Sequence, residues 1–227
     1  MNQKTAILVF ANSSEEEIRH KPISGGKQLF SALNAHTQHI VKSTALPYFV
    51  YTENEQQGHT FGERFVNAIQ DIYDKGFENV ITIGNDTPHL QKKHLLETVK
   101  QLKSNTFVLG PSTDGGFYLM GLHKSQFKID VLLRLPWQSR ELSDCIQRWI
   151  RQSKIEVISL EVLEDIDTVK DLKSVFDSFK TLPRELITII QKILNHNTQC
   201  INTCAHYVYS YHILPFFNKG SPFITFA

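Results

Sequence analysis

The stretch Asn79-Val80-Ile81-Thr82-Ile83-Gly84-Asn85-Asp86-Thr87-Pro88 decides the fold. Its apolar and β-branched run suits a strand buried on both faces, as in a parallel sheet. The run stops at Gly84 and then presents a carboxylate, so Asp86 falls at a strand's C-terminal end. In open α/β sheets that end binds ligands, because the loops there form a crevice and the following helices point their N-termini into it. Two other stretches repeat the arrangement. Gly110-Pro111-Ser112-Thr113-Asp114-Gly115-Gly116-Phe117-Tyr118-Leu119-Met120-Gly121-Leu122 reads as strand, acidic glycine turn, strand, and Asp165-Ile166-Asp167-Thr168 follows an apolar segment at 155–160 and precedes a helix. Three acidic turns, at 86, 114 and 165, are thus expected on one edge of one sheet.

Outward from this centre, residues 5–11 read as a first buried strand, 48–51 and 106–109 as further strands, and 27–42, 65–73, 94–103, 141–152 and 169–179 as helices. Alternation of strand and helix predicts an α/β fold with a mainly parallel sheet and helices on both faces. Leu182-Pro183 breaks the pattern, and the C-terminal stretch beyond it differs in character: an apolar helical band (Leu186, Ile187, Ile190, Ile193, Leu194) and an aromatic tail. The expected division is an α/β domain over 1–180 and an appendage over 181–227. So large an apolar surface packs against the core or against a second copy of the chain, making a homodimer.

The chain has 227 residues, 41% of them apolar, enough for one substantial core. A net charge of +1 without a dense basic run argues against a nucleic-acid partner. No stretch approaches the roughly 20 apolar residues of a membrane span, and three cysteines are too few for a disulfide framework. A cytoplasmic protein is expected.

Each candidate residue carries a competing, purely structural reading. Asp114 with Gly115 and Gly116 could hold a ligand, since adjacent glycines let backbone approach it closely, but Asp-Gly is also a hairpin signal. Asp165 and Asp167, two apart in an extended segment, point the same way and can share a cation, while Asp167 or Thr168 also serves as a helix cap. Lys21 and Lys27, in and just after the polar loop 12–26, are phosphate candidates or solubilising charges. Glu15-Glu16-Glu17 in the same loop reads as a solvated acidic turn. Glu63 and Arg64 could touch a ligand or pair on the surface, and Trp137 could wall a pocket or anchor its loop. His196, Cys200, Cys204 and His206 have three members at helical spacing, which raises a zinc site beside the commoner reading of core cysteines.

Phe61-Gly62-Glu63-Arg64-Phe65, Ile83 through Leu90, Gly110 through Leu122, Trp137-Gln138-Ser139 and Asp165 through Leu172, in that order, resemble a bacterial family of GT-A-like transferases of unknown substrate, the radical-SAM/selenodomain-associated type, related to the guanylyltransferase of deazaflavin-cofactor biosynthesis. The resemblance covers residues 5 to about 175. It implies a nucleotide-diphospho-sugar-transferase fold built as a three-layer sandwich, and a nucleotide or nucleotide-sugar ligand with a small-molecule acceptor. It also implies Mg2+ or Mn2+ held by Asp86 with Asp165 or Asp167. Two departures stand out. The arginine of a Lys-Thr-Arg-Leu-like run is absent between Arg19 and Leu29, leaving phosphate neutralisation to Lys21, Lys27 and the metal, and Asn85 replaces a usual serine.

The reading is a metal-dependent nucleotidyl- or glycosyltransferase. Asp86 and Asp114 are its catalytic candidates, Lys21, Lys27, Glu63, Arg64, Gly115 and Gly116 its nucleotide contacts, and Asp86, Asp165 and Asp167 its metal ligands, with Lys21 or Lys27 across the cleft. The alternatives are a non-catalytic nucleotide-binding or regulatory protein on the same fold, and a structural dimer whose aromatic tail is the working surface.

Overall fold

Along the first strand, Thr5–Phe10, side chains alternate between two cores: Ala6 and Leu8 enter one, Ile7 and Val9 the other. That period of two, with both faces buried, is what a central parallel strand requires. The structure, a computed structural model, describes residues 4–178 and 181–196.

In chain order the elements are β1 (Thr5–Phe10), α1 (Ser14–His20), α2 (Gly26–Ser43), β2 (Tyr48–Tyr51), α3 (Phe61–Asp74), β3 (Asn79–Ile83), α4 (Lys92–Leu102), β4 (Phe107–Pro111), β5 (Phe117–His123), α5 (Ile129–Leu133), α6 (Leu142–Gln152), β6 (Val157–Ser159), α7 (Val169–Asp177) and the helical segment 184–196, here α8. The six strands form one sheet in the order β2-β1-β3-β5-β4-β6. β1 pairs in parallel with β2 and β3, and β4 in parallel with β6; β5 pairs antiparallel with both β3 and β4. Five strands therefore run one way and β5 runs against them. Its reversal follows from the short Asp114-Gly115-Gly116 turn, which can join only antiparallel neighbours.

Helices cover both faces of the sheet. On one, Phe65, Ile69 and Ile72 of α3 and Leu142, Ile146 and Ile150 of α6 pack on Leu8, Val80, Met120 and Leu122. On the other, Ile40 and Val41 of α2 and Leu95 and Leu102 of α4 pack on Ile7, Ile81, Val108 and Leu119. The result is the expected three-layer sandwich.

Local signals set the helix boundaries. α3 opens at Phe61, earlier than its apolar spacing suggests, because Thr60 caps it and Glu63 returns its carboxylate to the backbone N–H groups of His59 and Thr60. The polar loop 12–26 contains a helix, α1, whose first turn is the glutamate triplet and whose cap is Ser13; acids there face the positive end of the helix dipole. Thr168 caps α7, with Asp171 completing the capping box.

The described part of the appendage packs on the chain itself. Leu182, Leu186, Ile190 and Ile193 are buried against Leu29, Phe30 and Leu33 of α2 and Leu172 and Val175 of α7, with Ile187 and Leu194 half-buried beside them. The zinc candidates Cys200, Cys204 and His206 and the aromatic tail lie outside the described residues. Among the described residues no helix is long and apolar enough to cross a membrane.

Candidate functional site

At the C-terminal ends of β1, β3 and β4 the three acidic turns meet in one cavity of ≈ 400 Å³, within the range of small-molecule sites. Asp86, Asp114, Asp165 and Asp167 all line it, with Glu17, Lys21, Arg64 and Gly116. The turns are tied together by backbone: Ile166 N–H donates to the Asp86 carbonyl at 3.0 Å, and Thr113 N–H to the Leu163 carbonyl at 3.1 Å.

Lys21 stands among three of the acids. It is the C-cap of α1, and its side chain is 14% exposed. Its Nζ lies 2.7 Å from Asp86 Oδ2, 2.7 Å from Asp167 Oδ1, 2.9 Å from Glu17 Oε1 and 3.1 Å from the Ile166 carbonyl. Burial alone would push the ammonium's pKa down, but the charges of Asp86, Glu17 and Asp167 override it and hold the pKa well above the ordinary lysine value. The sequence reading places this lysine across the cleft from the aspartates. It stands between them instead, because α1 carries Glu17 one turn before Lys21 and delivers both into the cavity.

Asp165 is handled differently from Asp167. It accepts a hydrogen bond from the Thr87 hydroxyl, and the Ser112 hydroxyl, which donates to Asp114, also lies against it. Burial and the neighbouring charge of Asp86 nevertheless raise its pKa to about 8, so it keeps its proton at neutral pH. Asp114 Oδ1 accepts from Ser112 Oγ at 2.6 Å and from the Gly116 N–H at 2.9 Å. Among the described residues, no three His, Cys, Asp or Glu side chains gather closely enough to hold a metal ion as they stand.

The remaining candidates separate by position. Arg64 and Gly116 line the cavity. Gly115 adopts φ +95° behind the turn, where a Cβ would meet the Arg140 carbonyl at 2.7 Å, so it shapes the turn and is not part of the lining. Glu63 is spent on capping α3. Lys27 is 68% exposed, pairs with Glu15 at 2.9 Å and is not part of the lining.

Aromatic rings also line the cavity. Phe10, Phe61, Phe65, Phe117 and Trp137 line it, with ring centroids 4.9–6.1 Å apart between Trp137 and its neighbours and along the Phe chain. Trp137 both anchors its loop, through Nε1–H to the Leu132 carbonyl at 2.7 Å, and walls the cavity. Its indole lies directly on Gly62, where a Cβ would stand 2.5 Å from Cδ1. Glu17, Phe10, Phe61 and Gln56 of the lining were not among the sequence candidates. For Glu17 the signal existed: a Glu four residues before a Lys is the favourable helical ion-pair spacing.

Sheet order, two-sided helix cover and a cavity at the parallel strand ends define the class: the protein has the nucleotide-diphospho-sugar-transferase fold. A candidate nucleotide-diphospho-sugar transferase from Desulfovibrio desulfuricans G20 has a TM-score of 0.69 with it at 21% identity, covering 84% of this chain and 95% of that one, a likeness of fold. More particularly, residues 27–139 match the family model described as an uncharacterized protein conserved in bacteria, DUF2064. That span takes in Gly62, Asp86, Asp114 and Trp137 and stops short of Lys21, Asp165 and Asp167. The 2-phospho-L-lactate guanylyltransferase of Methanocaldococcus jannaschii is 28% identical over 130 residues. The match takes in 56% of this chain, and the chain spans 57% of that relative's length.

Proposed function

We propose that this chain is a nucleotide-dependent transferase, moving a nucleotidyl group from a nucleoside triphosphate to a small-molecule acceptor. The observation that carries the reading is the convergence of Asp86, Asp114, Asp165, Asp167 and Lys21 on one cavity that aromatic rings also line. Phosphates belong beside the charged groups and a planar base on the rings, where stacking is worth roughly 1–3 kcal/mol per base. The guanylyltransferase relative favours nucleotidyl over glycosyl transfer.

Mg2+ or Mn2+ belongs to this reading, and the donor chemistry fits it. Asp86, Asp165 and Asp167 offer the hard carboxylate oxygens such ions take. Five acids line the cavity against Lys21 and Arg64, so a phosphate chain entering it needs further positive charge. Asp86, Asp165 and Asp167 would hold the ion, which when bound supplies Lewis-acid stabilisation of charge on the leaving pyrophosphate. Asp114, fixed through Oδ1 by Ser112 and Gly116, would position the acceptor hydroxyl through Oδ2. Attack on the α-phosphorus in line with the leaving pyrophosphate then depends on positioning and charge more than on acid–base chemistry.

Calorimetry with Mn2+ and a panel of nucleoside di- and triphosphates tests this. Asp86→Asn should abolish metal-dependent nucleotide binding and leave the fold intact. Wild type that binds none of the panel, or an Asp86→Asn variant that binds as well as wild type, refutes it. The absence of the arginine-bearing run in the first loop favours a second reading, a nucleotide-binding protein without turnover; binding without pyrophosphate release in the presence of candidate acceptors would select it.

A further inference from the structure

Lys21 is enclosed to a degree that a phosphate-binding lysine awaiting its ligand does not need. Four oxygens from three separate segments surround Nζ at 2.7–3.1 Å: Glu17 from α1, Asp86 from the loop after β3, and Ile166 and Asp167 from the segment before α7. One of them, Glu17, is buried although it belongs to none of the acidic turns. Its other oxygen is held by the Asn12 side chain at 2.9 Å, and α1 is itself pinned at its start, where Ser13 N–H and Oγ both donate to Glu53. This machinery fixes an ammonium where the carboxylates of Asp86 and Asp167 face each other.

We propose that Lys21 is the resident counter-ion of the metal position: a divalent cation enters by displacing its ammonium, which is thereby released to the phosphates of the nucleotide. The proposal rests on the metal-binding part of the function proposed above. Charge alone dictates two consequences. Without Lys21 the carboxylates face one another uncompensated, and a divalent ion relieves their repulsion more fully than a single ammonium does. With Lys21 in place, the ion must first break three ion pairs, and the freed ammonium finds compensation only when phosphate is present. Metal and nucleotide should then bind together with mutual reinforcement, by the reciprocity of coupled sites.

The test uses full-length, metal-free protein titrated with Mn2+ alone, followed by calorimetry and by loss of the free-ion paramagnetic resonance signal. Lys21→Met keeps most of the length of the side chain and removes its charge, and should bind Mn2+ about tenfold tighter than wild type or more, in the range of ordinary coupling factors. Glu17→Gln retains the lysine, the Asn12 contact and all three aspartates but loosens the hold on Nζ, and should tighten Mn2+ by a smaller factor of about three. It decides the matter if the Lys21→Met variant is poorly folded, which thermal melts of each protein report. Lys124→Met, on a surface ion pair with Glu78, should match wild type. Mn2+ binding that is equal or weaker in both the Lys21→Met and Glu17→Gln variants overturns the exchange while leaving the metal site standing. No Mn2+ binding in any of the proteins removes the metal site and the exchange with it.

Discussion

Gly62→Ala tests how the aromatic wall is built. The added methyl carbon would lie 2.5 Å from Trp137 Cδ1 and 2.7 Å from Nε1, far inside van der Waals contact, and the indole has nowhere easy to go. Its Nε1–H is bonded to the Leu132 carbonyl, and its ring meets Phe61, Phe65 and Phe117 at centroid distances of 5.5, 4.9 and 6.0 Å. Overpacking of this kind costs about 1–3 kcal/mol, and a stretched or lost indole hydrogen bond adds roughly 1 kcal/mol. Replacing glycine in the first turn of α3 returns at most about 1 kcal/mol of helix propensity. The net expectation is a loss of about 2 kcal/mol, or about 4–8 °C in melting temperature for a chain of this length. Differential scanning calorimetry measures the shift. In a Trp149→Phe background, where Trp137 alone reports, its emission should move to longer wavelength and its quenching by a purine nucleotide should weaken. A Gly62→Ala protein that melts at or above the wild-type temperature with unchanged emission refutes the account of Gly62 and of the wall it supports.

Asp165 predicts a pH dependence in the metal-free protein. Its pKa is raised from 3.8 to about 8 by burial and by Asp86, so across that window the folded protein keeps a proton the unfolded chain has lost, and stability falls as pH rises, levelling above about 8. Asp165→Asn should abolish that loss and, at a pH of about 8.5 in chelator, be more stable than wild type by on the order of 2 kcal/mol; a less stable Asn variant at that pH would contradict it. Ile190→Ala empties a fully buried position between α8 and α2 and should lower urea stability by about 2–5 kcal/mol, whereas a change below about 0.5 kcal/mol would show that α8 contributes only surface.

The sheet was legible because its signal is local. Val80 and Ile81 face opposite cores within one apolar run, and Asp86 comes directly after that run, so strand, direction and site edge could be read from ten consecutive residues. The helical start of α3 was partly hidden because its cap, Thr60, precedes the apolar spacing that betrays the helix. What the sequence hid lies in pairings across long separations. Nothing near Lys21 announces Asp86 or Asp167, and only the Glu17 spacing sets it apart from Lys27, which α2 carries away to meet Glu15 on the surface. The burial of Glu17 was equally hidden, because three consecutive glutamates look alike until the helix phase buries one of them. Trp137 and Gly62 are a further case: each reads as a loop or helix residue alone, and only the fold shows that one exists because of the other.

The reversed strand β5 has a consequence for synthesis. It fills the slot between β3 and β4 and hydrogen-bonds both, yet the ribosome delivers it only after α4 and β4. Until then the nascent chain carries β3, an uninterrupted Asn-Val-Ile-Thr-Ile run, with one backbone edge unpaired, the kind of edge that recruits a strand from another chain. A fragment ending before Phe117 therefore exposes a sticky seam through the middle of the sheet, and the acidic edge of the molecule cannot be expressed apart from the hairpin that seals it.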